Sequence, residues 1–208
     1  RVDRRQRQMC IRDRVYISGE IVPEVDAKIS IFDSAVLLGD TVTESTRTFN
    51  FKPFKLDEHL ERLYKSFKLT RIDPQMTIEE MKKVSLELLE INKDNYKANE
   101  DCWLVHNISR GHSITGGNPA LQVSKPTVMI YTQPMNLVLW APFYTKGCHA
   151  VTPPTRMVPS QSLDARIKNR SRLFYTLAEI EAKLVDPDAQ SVILDIHGNV
   201  AENKGGNI

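Results

Sequence analysis

The sequence predicts an α+β fold. Strand-like segments follow one another early in the chain, and helical segments come later without the strict β–α–β alternation of a doubly wound sheet. The chain has 208 residues, 41% of them hydrophobic, which is enough for one large core or two modest ones. It contains no G-x-G-x-x-G, Walker or H-E-x-x-H motif, which argues against the nucleotide-binding and zinc-protease classes.

Three strands are predicted near the start. Val15–Ser18 is the first, and Lys28–Phe32 is the second because its apolar residues alternate. Thr41–Phe49 is the third because it is rich in β-branched residues. A turn is expected after it, at Asn50–Pro53.

Two amphipathic helices are predicted next. The first covers Asp57–Lys68 with Asp57 as its N-cap, and the second covers Ile78–Ile91 with a capping box formed by Thr77 and Glu80. Helical spacing places one apolar stripe on each helix. These stripes are Leu60, Leu63, Tyr64 and Phe67 in the first helix and Ile78, Met81, Val84 and Leu88 in the second.

The rest of the chain is predicted to mix strands with one further helix. That helix covers Arg170–Leu184 and carries its apolar residues, Leu173, Leu177, Ile180 and Leu184, on one side. The predicted strands are Cys102–Ser109, Thr127–Thr132, Cys148–Thr152, Ser191–Asp195 and Asn199–Glu202, the last two forming a hairpin. A glycine-rich stretch lies at Arg110–Pro119, and Pro134–Pro142 is expected to be a connector.

The positive charge is concentrated at the start. Residues 1–14 contain six arginines and two aspartates, whereas the whole chain has a formal charge of only +2, so the remainder is net −2. This head could be a nucleic-acid-binding arm, a targeting peptide or a non-native extension, of which the last is favoured. Without a basic stripe elsewhere, we expect no nucleic-acid partner.

Composition points to a reducing compartment. The three cysteines are odd in number, lie far apart and form no C-x-x-C pair, so a disulfide framework is not expected and the cytoplasm is predicted. The five histidines show no metal-ligand spacing, so no metal site is expected. No apolar run reaches the roughly 20 residues that cross a bilayer, so no membrane association is expected.

No single residue identifies the chemistry. Taken singly, a lysine such as Lys168 is most often a solvated surface group, and a glutamate at a strand end such as Glu202 is also most often one. Arg62 would ordinarily pair with Glu58 one helical turn earlier.

Four segments together resemble the class IV aminotransferases (fold type IV), branched-chain aminotransferases among them. The first is I-S-G-E-I-V-P at 17–23, followed by K-I-S-I-F-D at 28–33. The second is L-L-G-D-T-V-T-E-S-T-R-T-F at 37–49, followed by P-F-K-L-D-E-H-L-E-R-L at 53–63. The third is I-K-N-R-S-R-L at 167–173, and the fourth is D-I-H-G-N-V-A-E-N-K-G-G-N-I at 195–208. The resemblance covers residues 15–208, everything after the basic head.

The resemblance implies pyridoxal 5′-phosphate as cofactor and gives roles to three residues. Lys168 matches the lysine that forms the Schiff base and then serves as general base. Glu202 matches the carboxylate that pairs with the pyridine nitrogen. Arg62 matches the arginine that binds the 5′-phosphate, for which a guanidinium fork is suited.

Five further residues receive expected roles from the same resemblance. Gly205, Gly206 and Asn207 match the loop after the glutamate, where glycines let the backbone approach the cofactor. Arg47 and Glu44 match a segment that lines the substrate side of the pocket, with Arg47 a candidate contact for a substrate carboxylate. For Arg47, the alternative is a strand residue that pairs across a sheet.

The resemblance also implies an architecture and an assembly. It implies a two-domain fold like that of the D-amino-acid and branched-chain aminotransferases, with a small N-terminal domain at 15–133, a connector at 134–144 and a large cofactor-binding domain that begins at 145–208. Residues 1–14 are expected to be a non-native or disordered head. Because family members continue beyond the match to Ile208, the second domain is expected to be incomplete. A homodimer is the implied assembly.

Three positions depart from the family pattern. Leu173 stands where branched-chain enzymes commonly have a tyrosine, and Tyr175 is two residues further along, about 200° around a helix. The D-amino-acid enzymes carry an R-x-H carboxylate trap in the loop after their R-G step, and residues 112–117, which follow Arg110-Gly111 here, contain no such trap. Asn203 replaces the glycine that usually follows the glutamate.

The function expected from these observations is transfer of an amino group from an amino acid, of branched-chain type, to a 2-oxo acid. Three alternatives remain open. The first is a lyase of the same fold that resembles aminodeoxychorismate lyase, and the second is a transaminase of D-amino acids or amines. The third is a truncated domain without catalytic activity.

Overall fold

The chain forms two compact units. The computed structural model describes residues 13–97, 100–113, 124–135 and 137–206. Within these ranges, the first unit comprises the residues up to Met135 together with Ile167–Arg170, and the second comprises the remaining residues. The domain boundaries expected from the resemblance stay a prediction.

The first unit is built on a six-stranded antiparallel sheet. Its strands are β1 (Arg14–Ile17), β2 (Glu20–Pro23), β3 (Thr41–Phe49), β4 (Lys52–Pro53), β5 (Cys102–Ser109) and β6 (Thr127–Pro134), arranged in the order β2-β1-β6-β5-β3-β4. The longest pairings join β3 to β5 and β5 to β6, so β5 lies between two long neighbours. The strands expected at Thr41–Phe49, Cys102–Ser109 and Thr127–Thr132 are therefore confirmed.

Two helices cover this sheet, α2 (Leu56–Thr70) and α3 (Ile78–Asn92); a four-residue helix, α1 (Ser34–Leu37), precedes β3. The capping box of Thr77 and Glu80 is confirmed, with both reciprocal hydrogen bonds present. The core between helices and sheet includes Leu60, Leu63, Met81, Leu88, Leu104, Ile108 and Ile130, all fully buried. Each helix thus buries residues of the stripe that its sequence predicted.

Two local predictions for this unit are wrong. Asp57 is not an N-cap, because α2 begins one residue earlier, after Lys55 in a left-handed conformation; Asp57 instead pairs with Lys82 at 2.7 Å. Residues 28–32 form no strand, because β2 already pairs with β1 and a turn at Ser30 replaces ladder bonds. Ile31 is consequently 70% exposed.

The second unit contains a small three-stranded sheet and a helix. Its strands are β7 (Ala150–Val151), β8 (Gln190–Leu194) and β9 (Val200–Asn203), with β7 parallel and β9 antiparallel to β8. Two four-residue helices, α4 (Leu137–Trp140) and α5 (Phe143–Lys146), come before the sheet, and α6 (Leu173–Val185) lies between β7 and β8. The predicted β8–β9 hairpin is confirmed, whereas the expected connector at Pro134–Pro142 contains α4.

The predicted apolar side of α6 is exposed, because the helix buries a different side. Its buried residues are Tyr175, Ala178 and Ala182, whereas Leu173 and Leu184 are 70% and 84% exposed. Small alanines let α6 approach the sheet closely. Within the ranges described, no helix is long and apolar enough to cross a membrane.

Asn92 ties the end of α3 to the sheet. Its buried side chain accepts from the Arg14 backbone N–H at 2.8 Å and donates to the Arg14 carbonyl at 2.9 Å and to Thr132 Oγ1 at 3.0 Å. Without this side chain, the polar groups that it contacts would be left without hydrogen-bond partners. Asn92→Ala should therefore lower the free energy of unfolding by about 2 to 3 kcal/mol. Urea unfolding measures this. The exposed Glu87→Ala on the same helix should change it by less than about 0.5 kcal/mol, and equal effects of the two substitutions would contradict the assignment.

Candidate functional site

The first unit brings Arg62 and Glu44 into direct contact. Arg62 on α2 donates from Nε to Glu44 Oε2 at 2.7 Å and from Nη2 to Glu44 Oε1 at 2.6 Å. This is a bidentate pair, in which the fork of the guanidinium matches the two carboxylate oxygens. Glu44 is fully buried on β3, and the Arg62 side chain is 51% exposed. Arg62 therefore pairs with Glu44, not with Glu58 as helical spacing alone suggested.

Two more groups complete the surroundings of Glu44. Its Oε1 atom accepts from the Ser45 N–H at 2.9 Å and lies 3.1 Å from His59 Nδ1. Burial by itself raises the pKa of Glu44, but the hydrogen bonds from His59, Arg62 and Ser45 outweigh it and lower that pKa to about 2. Glu44 is therefore a carboxylate at neutral pH.

Lys168 is held by its backbone between β3 and α2. The Thr43 N–H donates to the Lys168 carbonyl at 2.8 Å, and the Arg170 N–H donates to the Thr41 carbonyl at 2.9 Å. The Lys168 N–H donates to Ser66 Oγ at 3.3 Å. The segment thus adds a short extended pairing to the start of β3.

Ser66 links this segment to the turn of α2 that carries Arg62. It is fully buried, and its hydroxyl donates to the Arg62 carbonyl at 3.2 Å while accepting from the Lys168 N–H. The role of Ser66 was not recognised in the sequence. The available signal was a polar residue between Leu63 and Phe67, two members of an apolar stripe.

Arg47 makes local contacts within its own hairpin. Its guanidinium lies over the Phe49 ring at 3.8 Å, and its Nε atom donates to the Thr48 carbonyl at 3.4 Å. Across the sheet it is paired with Trp103 on β5. Arg47 is therefore a paired strand residue, and its expected contact with a substrate carboxylate stays a prediction.

In the second unit, Glu202 on β9 accepts a hydrogen bond at Oε2 from the Tyr175 hydroxyl. Tyr175 is buried on α6, and the Arg172 guanidinium lies 4.7 Å from its ring centre. Burial and then the contact with Glu202 raise the pKa of Tyr175, so the hydroxyl stays protonated and can donate. Leu173, at the position where relatives commonly have tyrosine, points a largely exposed side chain away from the buried side.

The loop after Glu202 is organised by Asn203. The N–H groups of Gly205 and Gly206 both donate to Asn203 Oδ1, at 2.9 and 3.0 Å, while Asn203 Nδ2 donates to the Ser191 carbonyl at 2.9 Å. A Cβ atom added at Gly205 would meet nothing within 4 Å, so the loop has an open face. Asn207 lies outside the described residues.

His106 lies directly across the β3–β5 ladder from Glu44. It is fully buried, and its Nε2 atom lies 2.8 Å from Ser85 Oγ. Because Ser85 donates its own proton to the Met81 carbonyl at 2.7 Å, His106 Nε2 carries the hydrogen and donates. Among the described residues, no group pairs with the other nitrogen, Nδ1.

The predicted site residues supply a consistent set of chemical groups. Lys168 offers a primary amine, Arg62 a guanidinium and Glu202 a carboxylate backed by a phenol. These groups complement an aldehyde, a phosphate and a protonated pyridine nitrogen, so the donor set fits pyridoxal phosphate. Over the ranges that the structure describes, no three His, Cys, Asp or Glu side chains gather to hold a metal ion.

Solved structures share this fold. The branched-chain amino acid aminotransferase of Escherichia coli superposes with a TM-score of 0.77 at 24% identity, over 94% of this chain and 62% of that one. Another branched-chain amino acid aminotransferase with a similar match was solved with pyridoxamine 5′-phosphate. The sheets and helices of this chain therefore follow the fold of the branched-chain aminotransferases.

Residues 41–208 match the family described as amino-transferase class IV. The provisionally named branched-chain-amino-acid aminotransferase of Methanocaldococcus jannaschii is 35% identical over 195 residues, which are 94% of this chain and 64% of that protein. The D-alanine aminotransferase of Staphylococcus epidermidis is 32% identical over 120 residues, 58% of this chain. The chain belongs to the class IV aminotransferase family, and it spans slightly less than two thirds of the M. jannaschii protein.

His106 should make stability depend on pH. Burial lowers its pKa from 6.5 to about 4, although Glu44 acts in the opposite direction. As the pH falls below 6.5, His106 becomes protonated in the unfolded chain but stays neutral in the folded chain. The folded state therefore loses stability relative to the unfolded state. The pKa of Glu44 is lowered from 4.5, so its contribution is lost only at lower pH.

We therefore expect the free energy of unfolding to fall by about 2 kcal/mol more in the parent than in His106→Gln between about pH 7.5 and pH 5. Urea unfolding at each pH measures the difference. His197→Gln, which removes an exposed histidine, should keep the parent's pH dependence. An unchanged slope in His106→Gln would contradict a buried neutral histidine.

Proposed function

We propose that the protein is a pyridoxal-phosphate-dependent aminotransferase that moves an amino group from a branched-chain amino acid to a 2-oxo acid. The match to the class IV family carries this proposal. The branched-chain type is favoured because the relative with that name matches along 94% of the chain, whereas the D-alanine aminotransferase matches along 58%.

Three residues would hold the cofactor. Arg62 would bind the 5′-phosphate, Lys168 would provide the covalent anchor, and Glu202 would pair with the pyridine nitrogen. Gly205, Gly206 and Asn207 would belong to the loop after the glutamate, where glycines let the backbone approach the cofactor. When bound, pyridoxal phosphate supplies an electron sink for the electron pair left on the substrate α-carbon after its proton is removed.

Lys168 and Glu202 would then have separate roles. The Lys168 amine would take the proton from the substrate α-carbon as general base. The Glu202 carboxylate would keep a proton on the pyridine nitrogen, and the Tyr175 hydroxyl orients that carboxylate by donating to Oε2. The short backbone pairing of residues 168–170 with β3 fixes the position of the Lys168 backbone, from which its side chain extends.

We propose a homodimer in the cytoplasm as the working form. Support comes from the first unit, where the segment before β3 exposes several large apolar side chains that a monomer would leave in water. These are Val25, Ile31, Phe32, Val36, Leu37 and Leu38, each more than half exposed. The partners in the reaction are an amino donor and a 2-oxo acid.

Lys168→Ala should abolish transamination of L-leucine with a 2-oxo acid, because it removes both the anchor and the base. Borohydride treatment of the parent with pyridoxal phosphate should fix a pyridoxyl group on Lys168, which peptide mass spectrometry locates. Lys146→Ala, a matched loss of an exposed lysine, should keep label and activity.

Three results would redirect the proposal. Labelling that persists in Lys168→Ala would mean that another residue is the anchor. Faster turnover with D-alanine than with L-leucine would move the substrate class to D-amino acids, and pyruvate release without any 2-oxo acid would indicate a lyase.

A further inference from the structure

Glu44 is the least exposed charged group near the proposed phosphate site. Its side chain has no exposed surface, and both oxygens are used: Oε2 by Arg62 Nε, and Oε1 by Arg62 Nη2, the Ser45 N–H and His59. A carboxylate with these neighbours has neither surface nor a free oxygen for a substrate. Its contacts point instead to Arg62.

The bidentate contact fixes the guanidinium of Arg62 in one rotation. Nε and Nη2 face Glu44, so the Nη1 side of the fork faces away from it, and among the described residues it makes no hydrogen bond. An arginine has five N–H donors in one rigid plane, so holding one edge also aims the other. Half of the Arg62 side chain is exposed, which leaves that edge accessible.

We propose that Glu44 is a positioning residue that holds Arg62 so that its Nη1 edge meets the cofactor's 5′-phosphate, rather than a residue that binds substrate. This inference rests on the proposed function. An arginine that is free to rotate would lose rotamer freedom when it binds phosphate, and the Glu44 contact removes that loss beforehand.

The sign of the charge separates positioning from simple attraction. A buried anion repels phosphate, so a site built only for charge would do better without Glu44. A buried carboxylate is also costly unless it is paired and hydrogen-bonded, as it is here. The geometry it imposes on Arg62 is the benefit that accounts for its presence.

The test compares two ligands that differ only in the phosphate. Pyridoxamine 5′-phosphate and pyridoxamine carry the same ring, and neither has the aldehyde that reacts with Lys168. In the full-length protein, Glu44→Gln should weaken pyridoxamine 5′-phosphate by about tenfold or more and leave pyridoxamine unchanged. Calorimetric or fluorescence titration measures both dissociation constants.

Three further variants guard against loss of folding. Glu44→Asp keeps the charge but shortens the side chain, so it should also weaken the phosphorylated ligand selectively. Thr46→Val, two residues along β3, removes a buried hydroxyl without a partner among the described residues and should change neither affinity. Asn92→Ala should lower stability without changing the ratio of the two affinities.

A double-mutant cycle gives the decisive comparison. Once Arg62→Lys has removed the fork, adding Glu44→Gln should cost no further affinity for the phosphorylated ligand. If Glu44→Gln weakens the binding of both ligands equally, Glu44 has a general structural role and does not position Arg62. If the variant raises the KM for the amino donor and binds both ligands as the parent does, Glu44 contacts the substrate instead. If the parent binds neither ligand and Lys168 takes no label, the proposed function itself fails. If the parent binds pyridoxamine 5′-phosphate and the Glu44 variants bind it equally well, only the inference about Glu44 fails.

Discussion

The ion pair between the buried Glu44 carboxylate and the half-exposed Arg62 is the contact around which the first unit's candidate site is arranged. It joins the middle of β3 to α2, and one turn further along α2 Ser66 accepts the backbone N–H of Lys168. A carboxylate without exposed surface is tolerated because Arg62, His59 and a backbone N–H satisfy it. One strand and one helical turn therefore fix both the proposed phosphate ligand and the start of the lysine segment.

The second unit uses the same principle with different groups. The Tyr175 hydroxyl is kept protonated by burial and directed at Glu202, while Asn203 gathers the N–H groups of Gly205 and Gly206. In both units a carboxylate is oriented by a donor on a neighbouring helix. Orientation of such groups before a ligand arrives lowers the free energy lost on binding, which would suit the cofactor site that we propose.

Local signals in the sequence predicted much of the fold. The sequence predicts the Thr77–Glu80 capping box and the strand at 41–49 because each depends on residues that are close together in the chain. The segment at 28–32 alternates like a strand, but β2 occupies the sheet edge, and no local signal reveals that. Lys168, Arg62 and Glu202 were predicted as site residues from the family resemblance. The contacts of Glu44 with Arg62, of Ser66 with Lys168 and of Tyr175 with Glu202 join residues 18 to 102 positions apart in the chain, so only the folded structure gives these contacts.

The most direct measurement is a crystal structure of the full-length protein with pyridoxal phosphate. We predict that the 5′-phosphate lies on the Nη1 edge of Arg62, that Glu44 still accepts from Nε and Nη2, and that Lys168 Nζ is joined to the cofactor. A phosphate bound away from Arg62, or a Glu44 carboxylate that has left Arg62 to contact substrate, would contradict it.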